Sequence, residues 1–300
     1  MKRTHLAGII PVAGIETNYD IDTPPILLPI DPGFTLIQKA VFECALAGCK
    51  TIWIVANQDL APIVRKRVGE WIYDPVYLGR GKYGESSEDR REIPIYYVPI
   101  HPKDLDRRDS YGWSILNGIY ASWRTANHIS KWVVPDKYFV AFPMSAYNVY
   151  DLRSHRTHIA DPDTNFVMRH NDETVRTGLP LCFTMSGEDY IQCRRDVNTK
   201  TTKEYYNTVE GEQYPSRKLP LAERWSAKNF TLAEVFEKLN IDKAYFYEPE
   251  WYYDLSTWDG YRAFMGSEKV IKKPSDILTK PRAHAKIPYT NHQEGTNESD

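Results

Sequence analysis

The sequence predicts an α/β fold with a central, mostly parallel sheet flanked by helices and an irregular or β-rich insertion late in the chain. Three observations predict it. Ile9 to Val12 is an apolar strand that runs into a small-residue turn at Ala13 and Gly14. Thr51 to Ala56 (TIWIVA) is a continuous apolar run, the mark of a strand covered on both faces. Helical patterns separate these from two further apolar strands, and strands linked through helices build parallel sheets with helices on both sides.

Taken in order, the first strand is followed by a proline-punctuated loop ending in Leu27-Leu-Pro-Ile30. Leu36, Ile37, Ala40, Val41, Cys44 and Ala45 then fall at helical spacing, one buried stripe, and Gly48 stands where a C-terminal cap belongs. After TIWIVA, Leu60 to Trp71 reads as a helix. Gly79 to Arg91 is glycine-rich and charged and reads as a surface loop; it lacks the GK-[ST] ending of a phosphate-binding P-loop. Ile93 to Val98 is a strand. Ser114 to Trp123 places Ile115, Leu116, Ile119, Tyr120 and Trp123 on one helical face, and Tyr138 to Pro143 is another buried strand.

From about Tyr150 the texture changes. Residues 151–218 are polar and turn-rich with weak periodicity, and the basic stretch of Arg194, Arg195, Lys200 and Lys203 reads as a solvated loop. Order returns at Thr231-Leu-Ala-Glu234, a capping-box pattern, with Leu232, Val235, Phe236 and Leu239 on one face. The expected organisation is one domain over 1–271, with a core of 6–150 and 219–265 around the insertion 151–218. Residues 272–300 form a proline-broken, partly disordered tail.

The chain has 300 residues, 42% of them hydrophobic, and a net charge of −2, which gives no bulk attraction to nucleic acid or an anionic membrane. No apolar run approaches the roughly 20 residues of a membrane helix, and the start does not read as a signal peptide. A soluble, cytoplasmic protein is expected. Cys44, Cys49, Cys182 and Cys193 show no metal-ligand spacing and read as structural thiols. His155 and His158, three apart, present two imidazoles without a third ligand. The 21 tyrosines and 8 tryptophans read as core and interface material, with base- or sugar-stacking open as an alternative.

The opening GIIPVAGIETNYDIDTPPILLPI, with Leu36-Ile-Gln38 and Glu43-Cys-Ala-Leu-Ala-Gly48 in the helix that follows, resembles the sugar-1-phosphate nucleotidyltransferases. Among them the UTP–glucose-1-phosphate uridylyltransferases are most similar: strand, a loop near AGxGTR, PKxxLP, then a helix with LIQ and EC-x-x-AG. The resemblance implies a nucleotidyltransferase-type, GT-A-like fold. It implies a reaction of a nucleoside triphosphate with a sugar-1-phosphate, giving nucleotide sugar and pyrophosphate with Mg²⁺ as cofactor. By the same resemblance Ala13, Gly14 and Thr17 belong to the nucleotide-wrapping loop, but Glu16 replaces its second glycine, Asn18 its arginine and Pro25 the lysine of PKxxLP. Phosphoryl transfer needs cations aimed at the charge that builds on the phosphates, and these changes remove two and add an anion.

Three more segments carry the resemblance. Gly112-Trp-Ser-Ile resembles a helix start that meets base and sugar, which makes Gly112 a nucleotide contact; the preceding Arg107 and Arg108 are candidate phosphate contacts. In Tyr138-Phe-Val-Ala-Phe-Pro-Met144, the methionine stands where the resemblance implies the first metal-holding aspartate. Trp251-Tyr-Tyr-Asp-Leu-Ser-Thr-Trp-Asp-Gly-Tyr261 resembles W-x-D-[IV]-G-T-x-x-x-Y and makes Asp254 the second metal ligand, although Asp254 also precedes a helix that Ser256 or Thr257 would cap. Two readings stay open. One is a diverged transferase holding a nucleoside triphosphate and Mg²⁺ with other residues. The other is a non-catalytic protein that binds a nucleotide, a nucleotide sugar, a second copy of itself or a partner chain.

Overall fold

The computed structural model describes residues 4–78, 92–101, 110–201 and 230–274, with 104–105, 108, 205–206, 208–211, 213, 217–220, 224 and 227 between them. The charged loop Gly79 to Arg91, Arg107, Asp109, Lys203 and the tail beyond residue 274 lie outside the described residues.

In the first half, β1 (Leu6–Pro11) leads through a 3-10 turn at Pro25–Leu27 to a short hairpin of β2 (Pro29–Asp31) and β3 (Phe34–Thr35). Thr35 caps α1 (Leu36–Ala47): its backbone N–H donates to Gln38 Oε1 at 3.1 Å. Gly48 ends α1 in the left-handed region, as expected of a cap. Then come β4 (Thr51–Ala56), α2 (Ala61–Val68), β5 (Trp71–Tyr73), α3 (Pro75–Leu78) and β6 (Glu92–Pro99). The helix expected to reach Trp71 stops at Val68 because Gly69 caps it with φ 91°, and Trp71 starts an antiparallel edge strand against β6.

In the second half, α4 (Tyr111–Ile129) is longer than the apolar stripe suggested, and Trp123, expected on its buried face, is 44% exposed. It is followed by β7 (Lys137–Val140), β8 (Ser145–Ala146), α5 (Asp151–Ser154), α6 (Arg156–Ile159), β9 (Phe166–Met168), β10 (Phe183–Ser186) and α7 (Gly187–Thr201). Residues 151–218 do contribute strands, and these join the main sheet. Arg194, Arg195 and Lys200, expected in a solvated loop, are instead part of α7, whose Tyr190, Cys193, Val197 and Thr201 form a narrow buried stripe. Last come α8 (Leu232–Val235), β11 (Tyr245–Tyr247), β12 (Tyr253–Asp254) and α9 (Trp258–Met265). The capping box of α8 forms as the sequence indicates, with Glu234 N–H donating to Thr231 Oγ1 at 3.3 Å.

The main sheet has eight strands in the order β11-β9-β10-β7-β1-β4-β6-β5. β7, β1, β4 and β6 run parallel, and β10 and β5 are antiparallel to their neighbours. Alternate residues of the central strands feed two cores. Leu6, Ile10, Ile52 and Ile54 face α1 and α2, whereas Ala7, Ile9, Trp53 and Val55 face α4. From β1 the chain steps outward to β4 and β6, returns through α4, and lays β7 on the other side of β1. In such open α/β sheets the crevice outside the carboxyl ends of the strands at this reversal is where ligands bind. Among the described residues no helix is long and apolar enough to cross a membrane.

Candidate functional site

Four segments far apart in sequence converge on that crevice at the ends of β1 and β7. The loop after β1 is pinned on both sides. Val12 and Ala13 N–H donate to Val55 O at 2.8 and 3.0 Å, and Ser114 Oγ of α4 donates to Ala13 O at 2.9 Å. Gly14 has φ +71°, and a Cβ there would lie 2.6 Å from the Ser110 carbonyl carbon, so only glycine lets the loop pass the start of α4 at this distance. Farther along, Asn18 N–H donates to Ser256 O at 2.9 Å and Tyr19 Oη donates to Leu255 O at 2.8 Å. The loop therefore rests on the segment that carries Asp254. Glu16 and Asn18 are exposed, Thr17 is half-buried, and Pro25 opens the 3-10 turn beyond them.

Met144 and Asp254 sit on neighbouring backbone. Asp254 in β12 pairs with Ser145 in β8, and Leu255 N–H donates to Met144 O at 2.9 Å. The side chains differ in kind: Met144 is 1% exposed within the core, while Asp254 is exposed and accepts from Ser256 N–H at 2.9 Å. Ser145 is buried, and its hydroxyl donates to Phe142 O at 3.0 Å. Mg²⁺ requires several hard oxygen donors, and this set supplies one carboxylate beside a buried thioether. The residues present do not fit that ion. Among the described residues no group of three or more His, Cys, Asp and Glu could hold a metal. Thr257, not Ser256, caps α9, accepting from Gly260 N–H at 3.1 Å.

Beneath the β7–β8 turn lies a charged pair that sequence reasoning missed. Lys39 and Glu43, one turn apart on α1, have fully buried side chains and pair at 2.9 Å. Lys39 Nζ also donates to Phe142 O at 3.1 Å and to Ser145 O, the two ends of the turn that carries Met144. Burial pushes the Glu43 carboxyl above its usual range while the Lys39 charge opposes it. An i,i+4 Lys–Glu pair reads as a solvated surface pair; its place in a helix otherwise apolar all round was the only signal.

Two phenols were missed as well. The Tyr111 hydroxyl at the start of α4 and the Tyr252 hydroxyl beside β12 are buried and have no hydrogen-bond partner among the described residues. Burial pushes both well above the ordinary phenol range, and the nearby Asp254 charge adds to each shift. Gly112, expected as a nucleotide contact, is buried against α8: a Cβ there would lie 2.7 Å from Val235 Cγ2. Arg108 stacks over the Trp113 ring at 4.6 Å on the outer flank of α4. His155 and His158 lie against tyrosines, His158 stacked on Tyr245 at 3.8 Å.

Solved structures share this architecture. Rv0371c from Mycobacterium tuberculosis H37Rv matches 89% of this chain and 100% of its own with a TM-score of 0.50 at 14% identity. An apo UDP-glucose pyrophosphorylase matches over 87% of this chain and 97% of its own, with a TM-score of 0.50 at 12% identity. The fold is that of the sugar nucleotidyltransferases. No protein-family model matches the chain, and no curated protein matches it by sequence. The expectation of a nucleotidyltransferase-type α/β sheet is met by the whole strand order, and the four resembling segments meet at one end of it.

Proposed function

We propose that the chain binds a nucleotide or nucleotide sugar in the crevice at the ends of β1 and β7 and does not perform the transfer reaction of the pyrophosphorylases whose fold it has. One observation carries this reading. Met144 is 1% exposed in the core and the residue paired with Asp254 is the buried Ser145, so neither position on the strand beside Asp254 offers a second carboxylate. Removing a single charge-stabilising donor from a transfer site costs about 3 kcal/mol of transition-state stabilisation. The substitutions at Asn18 and Pro25 remove two such groups, that at Met144 removes a metal-holding carboxylate, and the exposed Glu16 adds repulsion toward a triphosphate.

In this reading Gly14 and Thr17 border the ligand, Ala13 anchors their loop through its bonds to Val55 and Ser114, and Gly112 lies at the helix start against which the loop is packed. The unpartnered hydroxyls of Tyr111 and Tyr252 are the polar groups left for a sugar or base. The ligand class follows from what the loop has lost: a nucleotide sugar carries less phosphate charge than a triphosphate and fits the anionic loop better.

Equilibrium binding of UDP-glucose to the wild type and to Gly14→Val tests the site. Binding to the wild type and its loss in the variant is the expected outcome. Equal binding by both proteins would place the ligand elsewhere. A second reading, a diverged transferase, is favoured by the exposure of Asp254 beside the loop; it requires UTP and glucose-1-phosphate to yield pyrophosphate in the presence of Mg²⁺.

A further inference from the structure

On the face of the sheet that α4 covers, a cavity of about 510 Å³ lies beside that helix and past the end of β6. Its apolar wall is Val98, Ile100 and Leu116, and its polar wall carries three arginines beside Gln58, Asn117 and Thr125. Arg108 follows β6, Arg124 belongs to α4 and Arg194 to α7, so three separate segments bring a guanidinium to one cavity. Among the described residues Asp104 is the one acidic residue lining it, with its carboxylate 4.0 Å from Arg108. Among the described residues Arg124 and Arg194 form no ion pair.

Arg108 and Arg194 are held in place. The Arg108 guanidinium lies 4.6 Å over the Trp113 ring and that of Arg194 4.6 Å over Tyr120, and Arg194 Nη1 donates to Tyr190 Oη at 2.6 Å. Such stacking holds the planar group with donors free along its edge. Trp113 adds another donor. It is 5% exposed, it lines the cavity, and its indole Nε1 is buried with no acceptor among the described residues. A cavity that gathers three guanidiniums, two of them stacked on aromatic rings, and an unpartnered indole N–H is complementary to an anion with several oxygens.

We infer that this cavity is a second binding site, distinct from the crevice at the ends of β1 and β7, for a phosphorylated organic anion of about nucleotide size. The phosphate lies among Arg108, Arg124 and Arg194, where planar guanidiniums hydrogen-bond phosphate in bidentate fashion. The organic part lies on the apolar wall. The site does not depend on whether the crevice binds a nucleotide sugar.

Calorimetric titration with pyrophosphate and with UMP tests the inference on the wild type, Arg124→Glu and Arg194→Ala. Arg124 is exposed, so its reversal leaves folding intact, and circular dichroism checks both variants. The expected result is one-to-one binding of UMP to the wild type, tighter than that of pyrophosphate. Arg124→Glu weakens it tenfold or more and Arg124→Lys by less. Unchanged affinity in Arg124→Glu, or no saturable binding of either probe to the wild type, would overturn the inference. Competition of UMP with UDP-glucose, together with full UMP binding in Arg124→Glu, would also overturn it and assign the ligand to the crevice instead.

Discussion

Lys39 and Glu43 pair at 2.9 Å with no side-chain exposure, and the same lysine ties down the carbonyls of Phe142 and Ser145. Two charges thus support the turn beneath the crevice from inside the core. Breaking a buried pair by removing one partner costs about 3–5 kcal/mol, because the other charge is left uncompensated, whereas replacing both by apolar groups is often neutral. Lys39→Met is therefore expected to lose about that much in urea unfolding. The double variant Lys39→Met, Glu43→Leu should recover most of it. A double variant as unstable as the single one would mean that the bonds to Phe142 and Ser145, not the pair, matter.

Gly14 passes the start of α4 in a conformation that strains any residue with a side chain. Gly14→Ala is expected to cost about 1–3 kcal/mol of stability and to weaken UDP-glucose binding more than it weakens folding. Calorimetry and denaturant unfolding on the same variant separate the two effects. A variant of wild-type stability and affinity would contradict the close packing of loop and helix.

Met144 fills core volume, so restoring a carboxylate there should not restore a metal site. Met144→Asp buries an unpaired charge and is expected to lower stability by several kcal/mol, about as much as other unpaired buried charges. Met144→Leu, a volume-conserving change, should cost less than about 1.5 kcal/mol. Unfolding midpoints of the two variants check this. A stable Met144→Asp protein that acquires Mg²⁺-dependent pyrophosphate release would show that the position opens to the crevice.

Lys137 gives a pH signature. It is 1% exposed, its ammonium donates to Asp161 O at 2.7 Å and to Thr164 O, and burial lowers its pKa from 10.5 to about 8. Below pH 8 both folded and unfolded chains hold the proton. Between pH 8 and 10.5 the folded protein has released a proton that the unfolded chain still binds. Stability from this group thus rises with pH through that window, by about 1 kcal/mol per pH unit. The difference in unfolding free energy between the wild type and Lys137→Met is expected to climb from pH 8 to pH 10. A flat difference would contradict the depressed value.

Much of the fold was legible because its central strands and helices carry strong apolar periods. TIWIVA could only be a strand covered on both faces, and Ile52 and Trp53 do face opposite cores. What escaped had weak or misleading local signals. In α7 only Tyr190, Cys193, Val197 and Thr201 mark the buried stripe among charged neighbours, so the segment read as a loop. Gly69 was overlooked inside a helix-like pattern, which hid the strand at Trp71. The meeting of Asn18 with Ser256 depends on tertiary packing across the chain, and no local period announces it; only the resemblance of separate segments to one family pointed there. Lys39 and Glu43 carried the spacing of a surface pair and were placed in the core by α1 being covered on nearly every side.

The central claim is that the crevice binds without metal-assisted transfer, and calorimetric titration of UDP-glucose with and without Mg²⁺ tests it most directly. The expected result is saturable one-to-one binding with the same affinity in both conditions, unaffected by Asp254→Ala. Binding that tightens tenfold or more with Mg²⁺, and loses that gain in Asp254→Ala, would contradict the claim and establish Asp254 as part of a working metal site.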